Sequence, residues 1–144
     1  MTRWLVAGMF GMACAPAHVP PDTAITPSEP DSTFGCAMRE VNELGYTVRD
    51  ADRAAWFIRA EGPPGGLGTV INDLLLGVDS HDELTLTVYP LEDGQHVLRV
   101  VTHGYQVTRH GEEAGGRIDG APSKQALRAA RQILERCGAP PDST

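Results

Sequence analysis

Leu84, Leu86 and Val88 alternate with Thr85, Thr87 and Tyr89, and Asp93-Gly94 then stands before His96-Val97-Leu98-Arg99-Val100-Val101. Apolar residues at every second position put one face of a strand on a core, and Asp-Gly between two such runs is a hairpin signal. A one-residue slip would turn every leucine to water, so this pattern fixes register as well as element type. A lone hairpin is marginal in water. The rest of the chain must therefore supply a cover for its apolar face.

Two segments carry the helical period needed for that cover. Phe34, Ala37, Met38, Val41 and Leu44 recur at helical spacing, with Asp31 or Ser32 as a cap and Gly45 as the stop. Pro122-Ser123 opens a second helix carrying Ala126, Leu127, Ala130, Ile133, Leu134 and Cys137, stopped by Gly138. Residues 46–50 and 55–61 read as two further antiparallel strands. Glycine- and proline-rich residues 62–68 are loop, 69–76 one or two helical turns or an apolar flap, and 112–120 loop again. The expected fold class is α+β: a two-layer sandwich in the order α-β-β-β-β-α, with four antiparallel strands and both helices on one face. It spans residues 32–138, followed by a flexible tail at 139–144.

The 144 residues leave room for one such domain. Of the three cysteines, Cys36 and Cys137 fall inside it, near opposite ends of its sequence. If the helices lie antiparallel on the sheet, their cysteine-bearing turns are neighbours. Cys36 also falls off the apolar stripe, pointing sideways as a bridge to an adjacent helix requires. A Cys36–Cys137 disulfide is the expectation for an oxidising compartment, with two free thiols as the alternative.

The third cysteine belongs to the leader. Met1-Thr2-Arg3 is a short basic start, and residues 4–13 are uncharged and mostly apolar. They are too short for a bilayer span, which takes about 20 residues, but long enough for a signal-peptide core. Gly11-Met12-Ala13-Cys14 resembles the lipobox of bacterial lipoproteins, although Gly11 stands where that family usually carries Leu. The resemblance implies a signal peptide at 1–13, lipidation of Cys14, anchoring in the membrane, and a place in the cell envelope at the outer membrane facing the periplasm. Ordinary secretion after Ala15 or Ala17 is the alternative. Residues 15–31 hold five prolines in seventeen positions and read as a tether. The element order is similar to that of small periplasmic lipoprotein domains, a likeness of architecture that transfers no functional residue.

Composition narrows function mainly by exclusion. A formal charge of −7 argues against nucleic acid, which takes clustered cations. The Asp79–Glu83 segment contains the letters of a hydrolase triad, and with His81 offers a hydrolase or metal-dependent reading, but adjacency does not make a triad. His96, His103 and His110 lie seven apart, an odd spacing that alternates faces on a strand. No cofactor motif is present: the glycines of 62–68 lack the lysine and hydroxyl of a phosphate loop. What remains is a surface. With Trp56, Ile58, Leu84, Leu86, Val88, Leu98 and Val100 toward the helices, the other sheet face receives Arg49, Phe57, Arg59, Tyr89, Arg99 and His103. Arginine and aromatic residues favour recognition of a protein, glycan or lipid partner there, an ordinary solvated face being the alternative.

Overall fold

In the computed structural model the described residues are 22–26, 28–62, 77–108 and 115–138. They form β1 (Asp22–Thr26), α1 (Pro30–Glu43), β2 (Thr47–Asp52), β3 (Phe57–Glu61), β4 (Val78–Pro90), β5 (His96–Thr108), β6 (Arg117–Gly120) and α2 (Lys124–Gly138). The leader with Cys14, the 63–76 segment, His110 and the tail at 139–144 lie outside them.

Among the described residues the fold is α+β with an all-antiparallel sheet and two helices, but the sheet has six strands rather than four. Its order is β1-β5-β4-β3-β2, with β6 also on β5. The two added strands share one edge. Asp22–Thr26 pairs with residues 96–100 of β5, and Arg117–Gly120 pairs with residues 104–107. Strand β1 therefore falls inside the expected tether, and β6 inside the expected loop. Both are short and gain their stability from a ready partner, which composition alone does not reveal.

The hairpin is longer at its base than the alternation suggested. β4 begins at Val78, so residues 79–83 are strand and extend the pairing beyond Leu84. It pairs with β5 from Val78↔Thr108 through Pro90↔His96, closed by the turn containing Gly94. Gly94 has φ +81°, the conformation that suits glycine. Trp56 is a turn residue at φ +45° rather than part of β3, yet its ring packs against the core. Asp52 organises that turn by accepting from the Ala54 and Ala55 amides at 2.8 and 3.2 Å.

Helix α1 starts two residues before the expected boundary, with Pro30 in its first turn, where a missing N–H costs nothing. Tyr46 and Gly45 donate back to Val41 and Asn42, the pattern that ends a helix on a left-handed glycine. Ser123 caps α2 by accepting from the Ala126 amide at 3.1 Å, and Asp82 holds that cap by accepting from the Ser123 amide at 2.8 Å. Between the helices and the sheet lie Phe34, Ala37, Val41, Ile58, Leu84, Leu86, Leu98, Val100, Ala130 and Ile133, all buried. The helix-facing residues of β3 to β5 that the alternation assigned, Ile58, Leu84, Leu86, Val88, Leu98 and Val100, are buried there, joined by Ala60 and by Thr26 of β1.

The helices are also joined covalently. Cys36 and Cys137 form a disulfide with Cα atoms 5.7 Å apart. Cys36 sits in the second turn of α1. Beside the bridge, the buried Glu40 carboxylate accepts from Arg136 at 3.0 and 3.2 Å. No helix among the described residues is long and apolar enough to cross a membrane.

Candidate functional site

The candidate surface is the sheet face away from the helices, and strand register makes it a grid. From one end, the cross-strand rows run Ile25–Val97–Tyr89, then Thr23–Arg99–Thr87–Phe57–Asp52, then Val101–Thr85–Arg59–Asp50. The next rows are His103–Glu83–Glu61 and Asp119–Tyr105–His81, with Arg117 opposite Val107 at the far end. All six expected face residues, Arg49, Phe57, Arg59, Tyr89, Arg99 and His103, belong to this side. Arg49 reaches it from a bulge between Val48 and Asp50, which frees one residue from the pairing pattern.

The grid divides into two chemically different halves. At the β6 end, charges are matched within the protein. Glu61 accepts from Arg49 Nε at 2.6 Å and meets His81 Nδ1 at 2.7 Å. The His81 ring stacks on Tyr105 at 5.1 Å, and the Arg117 guanidinium lies 3.9 Å from the centre of the same ring. Arg117 and His103 both meet Asp119, at 3.2 and 3.0 Å. Partial burial pushes the Glu61 carboxyl up, but Arg49, the Tyr105 hydroxyl and His81 together outweigh it and hold it below the usual carboxylate range. Desolvation and the Glu61 charge raise the Tyr105 hydroxyl in turn. Asp119 is held low by hydrogen bonds from His103 and Arg117.

The other half is looser. Arg59 reaches Asp50 only at 3.9 Å. Arg99 is exposed and makes no ion pair among the described residues, flanked by Thr23 and Thr87 in its row. Tyr89 and Ile25 are exposed around a Val97 that they nearly bury. The arginines thus do not form one cationic cluster: Arg49, Arg59 and Arg117 are drawn to carboxylates of the same face, and Arg99 has no such partner among the described residues.

Sequence reasoning did not place Glu61, His81, Tyr105, Arg117 and Asp119 on this face, and singled out only His81, for a different role. Carrying the alternation back from Leu84 to Val78 would have placed Asp79, His81 and Glu83 on the open face. Ser80 and His81 therefore point to opposite faces, and the Asp82 carboxylate is committed to Ser123, so the Asp79–Glu83 segment builds no triad. His96 and His103 likewise fall on opposite faces of β5. Among the described residues no three His, Cys, Asp or Glu side chains converge as metal ligands. A cavity of about 250 Å³ opens where β4, β5 and β6 meet the start of α2, walled by Ser80, Asp82, Gln106, Ile118 and Ser123 among others. Comparison with known proteins finds no family model that matches the chain and no match among the curated proteins.

Proposed function

We propose that this chain is an exported lipoprotein whose domain binds a partner, without catalysis, through the looser half of its open sheet face. Export is supported by the leader and by a Cys36–Cys137 pair that sits at bonding geometry across the two helices. The observation that carries binding is Arg99: an exposed guanidinium with no carboxylate partner among the described residues, on the same open face as Phe57 and Tyr89. Exposed arginine and aromatic groups on a rigid sheet can supply anchor contacts for a protein, glycan or lipid partner, since their ordering is already provided by the fold.

Two measurements test the two halves of this proposal. Mass spectrometry of the mature N-terminus distinguishes a lipid increment on Cys14 from cleavage after Ala15 or Ala17, and a leader retained in cells refutes export. For the face, a photocrosslinker placed at Thr87 in cells should give a defined adduct that Arg59→Glu with Arg99→Glu abolishes. Thermal stability should change by less than about 0.5 kcal/mol, as for exposed positions. An adduct unchanged by both substitutions removes the face from consideration.

A further inference from the structure

The position of β1 shortens the leash on which an anchored domain would hang. Asp22 is already in the sheet, paired opposite Val100. Seven residues, 15–21, lie between Cys14 and this strand in the sequence, and eight Cα steps span at most about 28 Å. β1 cannot run on far along β5, because Gly104 is already partnered by Gly120 of β6. The anchor therefore reaches the domain at the edge that β1 and β6 share.

A second, independent feature marks the same edge. Three large hydrophobic side chains are exposed among the described residues, and two of them, Ile25 and Ile118, stand on β1 and β6 at 56% exposure each. They lie on opposite faces of the rim, so neither can bury the other. Exposed apolar groups beside a lipid attachment point suit the boundary between headgroups and acyl chains. The protein's charge of −7 gives anionic lipid no advantage.

From this we infer that the β1–β6 edge is a membrane-facing surface, docking on zwitterionic phospholipid with Ile25 and Ile118 at the contact. The inference rests on lipidation of Cys14. It orients the domain, leaving β2 the strand farthest from the bilayer, about 19 Å across the sheet.

The test uses the full lipidated protein, purified from cells and reconstituted in phosphatidylcholine vesicles with acceptor dye on their headgroups. A donor is attached at Asp22→Cys on the near edge or at Thr47→Cys on the far one, both exposed positions. Energy transfer should be several-fold stronger from the near edge, and Ile25→Thr with Ile118→Thr should reduce that difference at least by half. These substitutions keep β-forming residues at exposed sites, and a thermal melt verifies the fold. Equal transfer from both edges, or a difference untouched by the isoleucine changes, overturns the inference. Both results are read only on protein whose mass shows the lipid on Cys14. A mass without it refutes the anchoring reading, and this inference with it.

Discussion

Glu61 shows how one side chain can tie four strands together. It stands on β3, takes a hydrogen bond from Arg49 on β2, meets His81 on β4 and is bonded by the Tyr105 hydroxyl of β5. Its carboxyl is held below the usual range in the folded state, so it stabilises the fold fully above the unfolded value of about 4.3. That contribution is lost as pH falls through the depressed folded value. Melting temperature measured from pH 7 down to about 3 should therefore drop on the acid side. Glu61→Gln should lower the neutral plateau and flatten the acid limb. An identical acid limb in the variant would show that other carboxylates set it. Tyr46 obeys the opposite sign: burial first, and the Asp82 charge second, push its hydroxyl up to about 12. Its neutral form favours the fold until pH rises past the unfolded value near 10.

At the scale of elements, one close approach sets how tightly two segments pack. The stretch from Ala121 to Ser123 crosses β5 directly over Gly104, where an added Cβ would collide with the Ala121 carbonyl. Gly104→Ala should destabilise by about 1–3 kcal/mol in urea unfolding, because backbone rather than a side-chain tip must move. Gly120→Ala, whose Cβ meets only one atom at 4.0 Å, serves as the control and should cost less. Both described helices and strands β3, β4 and β5 were legible in the sequence because burial imprints a period on them, while β2, the far edge strand, was legible only as a short run after the Gly45 stop. β1 was not: its five residues lie among prolines, and an edge strand needs pairing on only one side. β6, with all four residues exposed, carries no burial pattern at all. The face assignments of Arg49, Phe57, Arg59, Tyr89, Arg99 and His103 followed from alternation. Their charge partners did not, because Arg49–Glu61 and His103–Asp119 exist only once register is fixed across strands distant in sequence.

For the whole molecule, the disulfide closes almost the entire domain. The cysteines are separated by 101 positions, and constraining a loop of that length stabilises by about 4.7 kcal/mol in the chain-entropy model. The bridge sits beside Glu40, whose buried carboxylate depends on Arg136 one residue before Cys137. Cys36→Ser with Cys137→Ser should lower stability by about 3–5 kcal/mol, a large share of the roughly 5–15 kcal/mol typical of a domain. Urea midpoints under oxidising and reducing conditions measure it. A midpoint indifferent to reductant would show that noncovalent packing alone holds α1 against α2.

The placement of β1 has a temporal consequence. Among the described residues, the first strand to leave a ribosome or a translocation pore finds its partner, β5, seventy or more residues later. Until then its hydrogen-bonding groups remain satisfied by water, and closing so long a loop is a slow event. Assembly must therefore finish near where it began: the amino-terminal ribbon is fastened after the hairpin that receives it, leaving any anchor attached to a molecule still unfinished at its base.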